Sequence, residues 1–335
     1  MARSTKRSAA AGAASLAQAR IAALKALDPG QPAAVAELRD ALRSTTGYLI
    51  AAVAGVIAEH RLDALVGELA PAFARLCDDA ARRDPGCRGK LAIAKALHEL
   101  DHWDDAVFVA GLRIEQKEGW GGAGGAGDVR DDTAAELRGV CGLAHAHFGR
   151  PDALDVLADL LLDPERVTRV AAAQGLGDAG RPDATALLRY KLRVGDAEAE
   201  VLAACLESML SLARDSSYDF ALTLLRGHDE RAEVAALALG GGRFAEAFEA
   251  LSRWCIGAAG EQRHRVGYLA IALLRSDAGN TYLLDAIRTH GKLDAIAAGR
   301  ALATFKDDAG LAEQIRAAAN EQKDRTARDQ ILALL

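Results

Sequence analysis

The first residues with a spacing that could do chemistry are His98-Glu99-Leu100-Asp101-His102, a literal H-E-x-x-H. On one helix that spacing sets two imidazoles on the same face to hold zinc, with the glutamate between them as base. This chain does not provide the helix. Its apolar periodicity stops near Leu100, so Asp101-His102-Trp103 reads as a turn and the two histidines fall on different elements. Asp105 also stands where the glycine of a downstream G-x-x-H would be. Gly122-Ala123-Gly124-Gly125-Ala126-Gly127 satisfies G-x-G-x-x-G, but a charged helical segment precedes it where a dinucleotide fold needs a strand. The five cysteines (Cys77, Cys87, Cys141, Cys205, Cys255) are scattered, without a C-x-x-C pair. Cys141 and Cys205 lie among Ala and Leu and read as small buried hydrophobes. Neither a disulfide framework nor a zinc knuckle is implied, and a reducing, cytoplasmic compartment is expected.

The elements that carry these residues are repeats. Gly149-Arg150-Pro151-Asp152-Ala153 returns letter for letter as Gly180 to Ala184, 31 residues on, which is the period of a helix-pair solenoid. Ala153, Leu154, Val156, Leu157, Leu160 and Leu161 form one apolar stripe at helical spacing. Asp163-Pro164 ends that helix, because Pro164 disfavours helical backbone in the residue before it. Val167, Val170, Ala171, Ala172, Ala173 and Leu176 form the stripe of the second helix, and its alanines allow close helix approach. Neither helix can bury its stripe alone, so stacked neighbours must cover both.

The Asp163–Gly177 run, D-P-E-x-V-x-R-V-A-A-A-x-G-L-G, and the G-R-P-D-A turn resemble the HEAT-like repeat superfamily in its phycobilisome-lyase form. The resemblance implies an all-α, right-handed superhelix (a HEAT-like or armadillo-like solenoid) whose second helices line the concave face. It also implies a structural role for Asp163 and Arg169. The fold so implied is silent on activity. By repeat register His98 and His145 are equivalent, with His147 close by, and with Glu99 they could share a metal. Only one His-Glu pair, His98-Glu99, is present, against the four of the similar HEAT-repeat iron hydroxylases, and no metal or other cofactor is expected.

About nine helical pairs follow along the chain, with no segment that reads as a strand. Residues 1–14 form a basic, disordered start, and 15–335 are expected to form one solenoid. It is interrupted by the Gly-rich insertion 119–127, which contains Trp120 and splits a repeat between its two helices. Net charge is −6, although residues 1–27 hold five basic side chains and no acid. An acidic body disfavours broad phosphate-backbone binding. The short basic clusters Arg189/Lys191/Arg193 and Arg263/His264/Arg265 read as solvated helix faces. The longest apolar run, Tyr48–Ala58, is about half a membrane span.

These features point to a non-enzymatic scaffold that binds a protein or peptide on its concave face. Trp103, Trp120, Arg138, Arg169 and Gln174 are its candidate contacts, since Trp and Arg dominate binding hot spots. An ion pair inside the repeat is the competing role for Arg169. The alternative function is an enzyme or binding module. It would act on nucleic acid, as glycosylases of similar fold do, or on a prosthetic group or metal, as the lyases do.

Overall fold

The computed structural model describes residues 18–28, 30–119, 130–227, 229–256 and 261–335, without the side chains of 130 and 261–263. Contacts divide it into two units, Met1–Ala179 and Gly180–Leu335.

In the first unit α1 runs over 18–25. It is followed by α2 (Pro32–Leu42), α3 (Gly47–Glu59), α4 (Asp63–Val66), α5 (Leu69–Cys77), α6 (Ala80–Arg83) and α7 (Arg88–Glu99). Next come α8 (Asp105–Gly111), α9 (Ala135–His147), α10 (Ala153–Leu160) and α11 (Arg166–Asp178). In the second unit the order is α12 (Ala184–Val194), α13 (Ala199–Leu212), α14 (Arg214–Leu225), α15 (Glu230–Gly241), α16 (Phe248–Ile256), α17 (Glu261–Leu273), α18 (Asp277–Thr289), α19 (Lys292–Ala303), α20 (Ala309–Glu321) and α21 (Arg325–Leu332). Consecutive helices pair, and each unit has two layers. Second helices pack on second helices: α3 on α7, α7 on α9 and α9 on α11 in the first unit, and α13, α15, α17, α19 and α21 in succession in the second. The described residues therefore form an all-α repeat of nine helical pairs, as the period predicts.

Local chemistry accounts for the pairing. In α10, Ala153, Leu157 and Leu160 are buried, and in α11 Ala172, Ala173 and Leu176 are. Val167, at the first turn of α11, instead points outward and is 41% exposed. Small residues set the spacing between neighbouring second helices. A Cβ on Gly139 of α9 would stand 2.8 Å from the Cβ of Ala171 in α11, so the contact admits nothing larger. Gly149 and Gly180 turn the chain between helices at φ +59° and +62°, a conformation that costs glycine little. Gly177 stays helical.

One expectation fails. A short antiparallel ribbon, β1 (Lys117–Gly119) with β2 (Arg130–Asp132), stands between α8 and α9, with Lys117 opposite Asp132 and Gly119 opposite Arg130. Its residues are charged or glycine and carry no strand pattern, so nothing in their hydropathy announces it. The side chains at its base hold it. Residues 1–14 and all of the insertion from Trp120 to Gly127 lie outside the described residues. Among the described residues no helix is long and apolar enough to cross a membrane.

Candidate functional site

The ribbon rests on a buried polar ladder that begins at Asp84. This carboxylate accepts from the backbone N–H groups of Gly89 (2.7 Å) and Lys90 (3.1 Å), which satisfies the start of α7. It also pairs with Lys90 Nζ at 3.0 Å, both side chains being fully buried. Lys90 Nζ donates to Gln116 Oε1 at 2.8 Å. Gln116 Nε2 donates to the Asp84 carbonyl (2.7 Å) and to Glu118 of β1. The Glu118 carboxylate in turn accepts from the Gly86 N–H at 2.9 and 3.0 Å. The strand that leads into the insertion is thus tied to the turn before α7.

The ladder continues through β2. Asp132 accepts from the Gln116 N–H (2.9 Å) and the Ala134 N–H (3.1 Å), and it pairs with Arg138 Nη1 at 2.6 Å. Arg138 also donates from Nη1 to the Ile114 carbonyl (2.9 Å) and grips Asp163 through Nε (2.7 Å) and Nη2 (3.0 Å). A planar guanidinium suits this forked pairing. Asp163 accepts from the Glu165 N–H at 2.8 Å at the start of α11. Arg169 Nη1 donates to the carbonyls of Asp163 (2.9 Å) and Pro164 (2.8 Å).

Burial works to raise the Asp132 carboxyl, but the Gln116 N–H and Arg138 outweigh it and hold it below the usual carboxylate range. Burial likewise opposes the charge on Arg138, and the Asp163 and Asp132 carboxylates more than restore it. Each charged group here is committed to a partner. The arrangement fixes backbone rather than moving protons.

The candidate contacts are placed in three different settings. Arg138 is only 4% exposed and Arg169 is half-buried, and Asp163 joins the two. Arg138 is therefore corrected from a surface contact to an interior one, and Arg169 hydrogen-bonds backbone carbonyls of its own repeat. Gln174 is exposed on α11. Trp103 belongs to an aromatic cluster: it stacks on Phe108 (5.1 Å between centroids), meets His145 and Phe148 edge-on, and lies under the Arg150 guanidinium at 4.7 Å. Its indole N–H donates to Asp105. Trp120 lies outside the described residues.

The histidines part company as the turn reading requires. α7 ends at Glu99, and His102 lies beyond it. His98 packs edge-on against His147, 4.7 Å between centroids, while the buried His145 hydrogen-bonds the Cys141 carbonyl at 2.7 Å and faces Trp103. The register that made His145 the equivalent of His98 is off by one residue: the matching turn bonds, His102 N–H to Leu97 O and Arg150 N–H to His145 O, make His145 the counterpart of Leu97. Burial, then the neighbouring His147 charge, lower His98 below the ordinary imidazole value. Among the described residues no three His, Cys, Asp or Glu side chains are grouped to hold a metal. Cys141 and Cys205 are buried as expected, and burial pushes the Cys205 thiol up to about 12. Of the basic run on α12, Arg189 and Arg193 lie over Phe220 and Lys191 pairs with Asp196 at 2.8 Å, so the run is largely spent within the fold.

Sequence reading overlooked the ladder, although a signal was there. Asp84/Lys90, Asp132/Arg138 and Asp163/Arg169 each place a cation six residues after an aspartate that accepts a backbone N–H at or just before the start of a second helix.

No family model and no curated protein matches the sequence. Among solved structures, the complex of CpcE and CpcF of phycocyanin lyase from Nostoc sp. PCC7120 is similar at 17% identity, covering 80% of this chain and 93% of that chain with a TM-score of 0.39. The helical-repeat architecture stands on the paired helices themselves.

Proposed function

We propose that the chain is a non-enzymatic scaffold that binds a protein or peptide partner through its layer of second helices and through the insertion carried by the ribbon. The observation behind this reading is the ladder from Asp84 to Asp163. A ribbon with three residues per strand does not hold its shape alone. Ion pairs buried as deeply as Lys90–Asp84 give little stability beyond an apolar replacement of the same volume. Their use here is to hold one arrangement at the base of the ribbon. Insertions on one edge of a solenoid often carry binding, and Trp120 is the anchor residue this insertion offers.

The test is site-specific photocrosslinking in cells with a benzophenone amino acid in place of Trp120. One discrete protein adduct, absent when the label is moved to exposed Asp183 beside a first helix, is the expected result. Adducts to nucleic acid alone, or none from Trp120 at full expression, contradict the proposal.

A further inference from the structure

A groove in the second unit names the chemistry of a partner. It lies between α17 and α19, has a volume of about 280 Å³, and is lined by those two second helices and by Thr304 at the end of α19. It therefore opens on the side away from the first-helix layer. Its floor is apolar: Val266, Leu269, Ala297 and Ala301. Arg265 and Arg300 stand over that floor, both exposed. Neither forms an ion pair with a described residue, whereas Arg231, Arg253 and Arg288 on neighbouring helices are matched to Asp229, Glu249 and Glu321.

Resting on the scaffold reading, we propose that this groove recognises a peptide segment in which a carboxylate stands next to an aliphatic side chain. Two guanidiniums over one groove supply forked donors that match a carboxylate. The apolar floor takes the neighbouring aliphatic group, and the volume suits about two side chains rather than a drug-sized ligand. Charge complementarity excludes a basic segment. Two arginines on a chain of net charge −6 are too few to track a phosphate backbone, whose affinity comes from many such contacts.

The experiment is selection of phage-displayed random peptides on the full-length chain. Enriched peptides are then remade with a fluorescent label and titrated against wild type and Arg265→Gln/Arg300→Gln. Both arginines are exposed, and circular dichroism checks that the variant keeps its helices. The expected result is enrichment of Asp or Glu beside Leu, Ile or Val, with roughly tenfold or greater weakening in the double variant, as loss of charge-assisted hydrogen bonds implies. Enriched peptides that lack acids, or that bind the variant unchanged, overturn the groove but leave the scaffold reading standing. A selection that enriches nothing, with labelled single-stranded DNA binding in an Arg265- and Arg300-dependent way, overturns both. Enrichment of nothing without DNA binding also overturns the groove.

Discussion

Lys90 has no exposed surface, and its ammonium is held by Asp84 and Gln116. Lys90→Met leaves the Asp84 carboxylate buried without its cation and should cost about 3–5 kcal/mol in urea denaturation. Arg138→Met strands two carboxylates, Asp132 and Asp163, and should cost at least as much. Asp132 adds a pH signature. Its folded pKa lies below the unfolded value, so its contribution is complete above the ordinary carboxylate range and is lost as pH falls through the folded value. The stability gap between wild type and Asp132→Asn should accordingly be widest near neutrality and close below about pH 4. A gap that is constant with pH would mean that the Asp132 charge does not matter.

At the scale of elements, the ladder and not the insertion should carry the ribbon. Gly119 already faces Arg130 across the two strands, so an Asn-Gly turn can replace 120–129 without disturbing what lies below. Chemical denaturation should place this variant within about 1 kcal/mol of wild type, the range of changes remote from packed features. A loss comparable to that of Lys90→Met would show that the insertion is part of the fold. Element by element, much was legible in the sequence. The G-R-P-D-A turns gave the period, the Leu and Ala stripes gave the buried faces, and the stop after Leu100 separated His98 from His102. The ribbon was illegible because Lys117–Gly119 and Arg130–Asp132 owe their pairing to Gln116, Glu118 and Asp132 rather than to strand propensity. Arg138 was misplaced for a related reason. Its partner Asp163 lies 25 residues away on the next repeat, a contact no local pattern reveals.

For the whole molecule, repeats draw their stability from neighbours, so a piece that keeps its neighbours should fold. The fragment Met1–Ala179 carries its own core, from Leu24 through Phe73 and Phe108 to Cys141. It should be soluble and helical by circular dichroism, with a lower melting temperature than the full chain. An aggregated fragment without helical signal would count against a modular repeat. The central claim, that the chain is a scaffold whose insertion engages a protein, is tested most directly by affinity purification from the native organism. Wild type is compared there with the Asn-Gly replacement of 120–129. The account predicts a stoichiometric protein partner with wild type that is lost with the replacement while the helices remain. Co-purification of a metal, prosthetic group or nucleic acid with no protein partner would contradict it.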